Sequence, residues 1–130
     1  MTLKLREVKN ELSSYFTQLL PHYRITPIMM YTLEFLRKNP DSIAVDIANE
    51  FGLTRGAVTQ LLDKLEQEGL VQRKAHPVSR RSLLIEVTAK GQTLSDCIME
   101  DYNKQIERLL VNYTAEELKT LTQLLDKLPL

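Results

Sequence analysis

Between Ile43 and Thr88 the spacing of apolar residues changes from helical to strand-like, with a glycine at the end of each helical stretch, and few small folds accommodate that order. Ile43, Ile47, Ala48 and Phe51 recur at near-helical spacing, so a short helix can bury one face before Gly52 stops it. Thr54 is a good N-cap for a second helix, whose Val58, Leu61, Leu62 and Leu65 form one apolar stripe ending at Gly69. Its opposite face carries Arg55, Thr59, Gln60, Asp63, Lys64 and Gln67, several of which can hydrogen-bond base edges or phosphates in a major groove. Leu70–Lys74 and Ser82–Val87 then suit two antiparallel strands. The tip between them, Ala75–Arg81, is basic, carries the helix-resistant Pro77, and suits a minor groove beside a docked helix. The stretch reads as a helix-turn-helix followed by a two-stranded wing, which points to sequence-specific DNA binding.

The flanks are helical. From about Leu3 to Leu20, Val8, Leu12, Tyr15, Phe16 and Leu19 fall on one face of an amphipathic helix that Pro21 ends. The loop His22-Tyr23-Arg24-Ile25 leads to a second helix, capped by Thr26 with Pro27 at its first position. That helix runs through Met29, Met30, Leu33 and Leu36, the methionines reading as core filler, and Asn39-Pro40-Asp41 breaks the chain after it. Beyond the wing, Thr88 caps a long helix expected to reach about Tyr113, with Leu94, Ile98, Tyr102, Ile106, Leu109 and Tyr113 along one side. Thr114 and Glu117 form a capping box for a last helix carrying Leu118, Leu121, Leu124, Leu125 and Leu128. The first and last stripes exceed what the DNA-binding unit can cover. Each leucine left in water forgoes roughly 1.5–3 kcal/mol, so a homodimer built from both ends of the chain is expected.

Ile47-Ala48, Gly52-Leu53-Thr54, Ala57-Val58-Thr59, Leu61 through Glu66, Gly69-Leu70-Val71, Arg73, Pro77, Arg80-Arg81, Val87-Thr88 and Gly91 follow in an order and spacing that resembles the MarR family of bacterial winged-helix regulators. The resemblance covers most of the chain. It implies a mainly α fold with a small β wing: a winged helix-turn-helix with long N- and C-terminal dimerisation helices. On that pattern residues 1–130 form a single domain, with 1–38 and 89–130 as dimerisation helices and 42–88 as the DNA-binding lobe. A two-fold protein would prefer double-stranded DNA with a two-fold symmetric site. The resemblance also implies a repressor whose grip on DNA is controlled by a small aromatic effector, bound between the dimer helices and the lobe. His22, Tyr23, Arg24 and Tyr31 are the candidates for that pocket; their plain alternative is an ordinary loop and core.

The expected DNA contacts are Arg55, Thr59, Gln60, Lys64, Arg73, Arg80 and Arg81, with Arg81 matching the arginine that family members direct at the minor groove. Two positions depart from the pattern. Ser79 stands where the family has an acid that helps hold the wing arginine, and Gln60 where arginine is common, although glutamine can read adenine bidentately.

Charge leaves a rival reading open. The formal net charge is zero, against a nonspecific nucleic-acid coat, yet Val71–Lys90 holds five basic residues (Arg73, Lys74, Arg80, Arg81, Lys90) against one acid, Glu86. The clustered basic wing favours the regulator. Neutrality, Ser79 and Gln60 favour a winged-helix protein-interaction module that has lost DNA binding. A single cysteine excludes an intramolecular disulfide, and with His22 and His76 it makes no structural zinc set, so no metal or cofactor is expected. Cys97, beside Ile98, reads as a buried structural thiol. No nucleophile motif or phosphate loop suggests an enzyme. No run reaches membrane-spanning length and the charged N-terminal stretch is unlike a signal peptide, so a cytoplasmic protein is expected.

Overall fold

A computed structural model describes every residue except Arg80. Its elements are α1 (Thr2–Leu19), a 3-10 turn (Leu20–Tyr23), α2 (Pro27–Lys38), α3 (Ala44–Phe51), α4 (Arg55–Gln67), β1 (Val71–Ala75), β2 (Leu83–Val87), α5 (Ala89–Leu109) and α6 (Ala115–Leu125). The winged helix-turn-helix architecture matches the expectation, with differences at the joints.

Threonine caps set four of the six helix starts: Thr26, Thr54, Thr88 and Thr114 each accept a backbone N–H three residues on. Thr114 and Glu117 close the full capping box, at 2.8 and 3.1 Å. Helix α3 lacks a hydroxyl at its cap, and Asp46 compensates by accepting from the Ile43 N–H at 2.9 Å.

Pro21 does not end the first helical segment outright. It sits in the first turn of the 3-10 segment, where a missing N–H leaves no helical bond unmade. Arg24 closes that turn in the left-handed region at φ 57, its N–H donating to the Pro21 carbonyl at 3.1 Å. The first strand starts one residue later than its pattern suggests, because Leu70 belongs to the close of α4. Gly69, at φ 74, turns the chain so that the Leu70 N–H reaches the Leu65 carbonyl at 2.9 Å. Helix α5 stops at Leu109 rather than near Tyr113, since Thr114 must be extended (φ −74, ψ 163) to cap α6 and the chain unwinds before it.

One buried cluster joins α2 to α3, α4, the wing and α5: Met30, Leu33 and Leu36 share it with Ile47, Val58, Leu65, Ile85 and Ile98, and Leu20 enters from the 3-10 turn. Met29 and Met30 are core residues, as expected. Cys97 is not. It is exposed, because each helical step rotates a side chain by about 100° and α5 turns Ser95 and Ile98 inward.

The wing is anchored at its base by one hydroxyl. Thr88 Oγ1 donates to the Gly69 carbonyl at 2.6 Å and accepts from the Gly91 N–H at 3.0 Å, so the end of α4 and the start of α5 meet on a single atom. Gly91 is required there: a Cβ would lie 2.3 Å from the Leu70 carbonyl oxygen. On the inner edge, the Ile85 N–H donates to the Ser42 carbonyl at 3.0 Å, fastening β2 to the segment before α3.

Candidate nucleic-acid interface

Helix α4 buries Val58, Leu61, Leu62 and Leu65 and leaves Arg55, Thr59, Gln60, Asp63, Lys64 and Gln67 exposed. The Thr59 hydroxyl donates to the Arg55 carbonyl at 3.0 Å, which leaves its oxygen free to accept a further hydrogen bond. Gln60 makes no hydrogen bond with any described residue, so both its amide groups are available for a base edge.

A cleft of about 850 Å³ separates α3 and the first half of α4 from the wing. Buried Val58, Leu62 and Ile85 lie along it with Arg55, Thr59 and Arg81, while Val45 and Leu83 are half exposed at its edges. A second hollow, of about 600 Å³, lies between α2 and α3 and carries Asp41, Asp46 and Glu50 against Lys38. Its three carboxylates against one lysine make it unfavourable for a phosphate.

The basic count along the wing overstates the charge that faces outward. The antiparallel register pairs Val71 with Val87, Arg73 with Ile85 and Ala75 with Leu83, which puts Arg73 on the core side of the sheet. Its guanidinium runs back to α4, meeting Asp63 at 2.8 Å and Glu66 at 3.4 Å, with the side chain only 26% exposed. Arg73, expected among the contact residues, therefore ties the wing to α4 while it also lines the cleft. Its place two residues from buried Val71, on the same face of the strand, was the signal for this pairing. On the outer face Lys74 pairs with Glu86 at 2.8 Å and Gln72 donates to the same carboxylate at 3.1 Å. These two hydrogen bonds, Lys74's first, hold the Glu86 carboxyl below the usual glutamate range. Lys90 Nζ donates to the Glu68 carbonyl at 2.8 Å. Arg55, Lys64 and Arg81 form no ion pair with any described residue, and these three cations frame the exposed face of α4 and the cleft. Arg80, the remaining expected contact, lies outside the described residues.

The candidate effector residues are dispersed in role. Tyr23 donates its hydroxyl to the Asp101 carboxylate on α5, and that bond, aided by burial, pushes its pKa up to about 12. His22 and Arg24 are exposed on the 3-10 turn and its close. Tyr31 is half exposed and stacks on Phe16 at 5.8 Å, and Phe16 meets Tyr102 edge-on at 5.5 Å. Neither cleft described above is lined by these residues.

Comparison with known proteins adds the following. The MarR family profile matches residues 25–82. The HTH-type transcriptional regulator MhqR of Bacillus subtilis (strain 168) is 31% identical over 106 residues, which is 82% of this chain and 73% of that protein. The homoprotocatechuate degradative operon repressor of Escherichia coli is 25% identical over 127 residues, 98% of this chain and 86% of the repressor. Among solved structures, a point mutant of S. aureus MepR bound to an oligodeoxyribonucleotide superposes with a TM-score of 0.80 at 23% identity, covering 97% of this chain and 93% of that one. This last likeness speaks for the fold.

Proposed function

The chain belongs to the MarR family of regulators, and from that premise we propose that it works as a homodimer that seats one α4 in each half of a two-fold symmetric duplex and represses by occupying the promoter. It is a DNA-binding transcriptional regulator. The observation that carries the DNA-reading geometry is the exposed face of α4, with Thr59 and Gln60 at its centre and, around it, Arg55, Lys64 and Arg81, which form no ion pair with any described residue. Helix α4 reads the major groove, and Arg81 reaches the flanking minor groove from the wing. Repression is supported by the name of the Escherichia coli relative.

The homodimer is supported by what the single chain leaves in water. Leu3, Leu5 and Val8 on α1, and Leu124, Leu125 and Leu128 at the end of the chain, are all exposed. Residues 1–38 and 89–130 supply the pairing surface and 42–88 the lobe. The site of action is the cytoplasm, where bacterial DNA lies; no helix among the described residues is long and apolar enough to cross a membrane. Effector control is part of the same reading: a small aromatic ligand stacks near Tyr31, with His22, Tyr23 and Arg24 as the neighbouring polar groups, and its binding lowers DNA affinity. Linkage requires DNA to weaken that ligand by the same factor. Nothing among the relatives favours the rival protein-interaction reading.

Selection of bound duplexes from a random DNA pool tests the reading. A two-fold motif with half-sites about one helical turn apart is expected. Recovery of no sequence above nonspecific affinity at low salt would overturn it.

A further inference from the structure

Among the described residues of the wing tip, His76 is a polar side chain whose partners are all local. His76 Nδ1 accepts two backbone hydrogen bonds at once, from the Val78 N–H at 3.1 Å and from the Ser79 N–H at 3.0 Å. Asparagine and aspartate side-chain oxygens commonly hold turns in this way; here a ring nitrogen takes the place of the oxygen. Two N–H groups aimed at Nδ1 require that nitrogen to be unprotonated, so the proton of the neutral ring is on Nε2. The ring is half-buried in a segment that otherwise contributes exposed Pro77 and Val78. Ser79, standing where the family has an acid, gives its backbone N–H to this latch.

We propose that His76 is the positioning residue of the wing, an imidazole latch that folds the tip before DNA arrives and so presents Arg81 already placed. The proposal rests on the DNA-binding reading above. Arg73 and the Thr88 hydroxyl hold the base and middle of the wing to α4, but neither reaches residues 76–79. Without the His76 acceptor the two N–H groups turn to water and the tip samples many conformations. Each binding event then carries the cost of ordering it, and apparent affinity falls by the fraction of chains that are competent. A contact residue and a positioning residue differ in salt dependence. Loss of a phosphate contact flattens the slope of log affinity against log salt, whereas loss of tip order lowers affinity at every salt concentration alike.

The test compares His76→Ala and His76→Asn with the unaltered protein on a duplex from the selection. Two modest hydrogen bonds predict a loss of about tenfold per half-site for His76→Ala, with the salt slope unchanged. His76→Asn, whose side-chain oxygen can accept the same two N–H groups, should stay within about twofold of the unaltered protein. In the free protein, nitrogen-15 NMR of the imidazole should show an unprotonated Nδ1 at pH 8. Amide exchange at Val78 and Ser79 should be slow in the unaltered and Asn forms and fast in the Ala form. Equal binding by the Ala form, failure of Asn to rescue, or a proton on Nδ1 overturns the latch while leaving the regulator intact. An unaltered protein that binds no duplex overturns the DNA reading, and the latch's role with it.

Discussion

The DNA-binding lobe and the two ends of the chain are similarly amphipathic in sequence, yet within one chain they end up very differently covered. Helix α4 has four buried apolar side chains; α1 and α6 have none. Helix α5 joins the two regions and changes character along its length. It buries Gly91, Ser95 and Ile98 near its start and leaves Leu109 exposed at its end. Apolar patterning therefore records that a face will be covered but not by what. In the lobe the covering groups lie within the same chain, whereas the terminal faces are written for another surface, which we propose is a second copy.

That contrast can be broken most decisively at the last helix. Replacing Leu121 and Leu125 together with Asp should abolish the dimer or unfold the protein, because an unpaired charge placed in a dry interface is expensive. Sedimentation should show the loss, and a monodisperse monomer at micromolar concentration for the unaltered protein would sink the pairing. The lobe should respond differently. Leu65 is fully buried, so Leu65→Ala should cost about 2–5 kcal/mol in denaturant unfolding, less any part recovered by collapse of the cavity. A stability loss that tracks protein concentration would mean the lobe too depends on a partner.

Where the regions join, Gly91→Ala would set a Cβ 2.8 Å from Val87 Cγ1 as well as against the Leu70 carbonyl. A loss of about 1–3 kcal/mol, read as a lowered thermal midpoint, is expected from such overpacking. On the reading face, Gln60→Ala should leave folding unchanged and cost about 1–3 kcal/mol on the selected duplex if the amide makes a bidentate base contact. An unchanged sequence preference in a repeated selection would remove Gln60 from that role.

The smallest effect concerns the outer face of the wing. Glu86 titrates below an ordinary glutamate because its ionised form is hydrogen-bonded by Lys74 and Gln72. A depressed folded-state pKa stabilises the fold above the unfolded value, and that contribution disappears as pH falls through the folded value. It should therefore be lost only in acid, below the normal carboxylate range. Side-chain NMR titration checks the sign, and a Glu86 midpoint at or above that of an unstructured glutamate would contradict the pairing.

Much of the fold was legible because its signals are local. Thr26, Thr54, Thr88 and Thr114 announce helix starts through a hydroxyl that needs only the next turn of backbone, and Gly52 and Gly69 announce stops through positive φ angles that other residues rarely adopt. The apolar stripe of α4 was readable because its period is the helix's own. Cys97 was misread for a related reason: adjacency in sequence to Ile98 is not adjacency on a helix.

The site was legible as a set of residues but not as a division of labour. Arg73 and Arg81 are both basic and both line the cleft, yet the register of β1 against β2 turns Arg73 to Asp63 and Glu66, while Arg81 has no ion pair with any described residue. His76 carried no role in the sequence pattern, and only the folded tip brings two N–H groups onto its ring. The order and type of elements followed from the sequence because helix caps, glycine turns and apolar periods act over a few residues. Which charges are neutralised, which side chain latches the wing and where α5 changes from core to surface were decided by tertiary structure, since each depends on groups that the chain brings together only once it has folded.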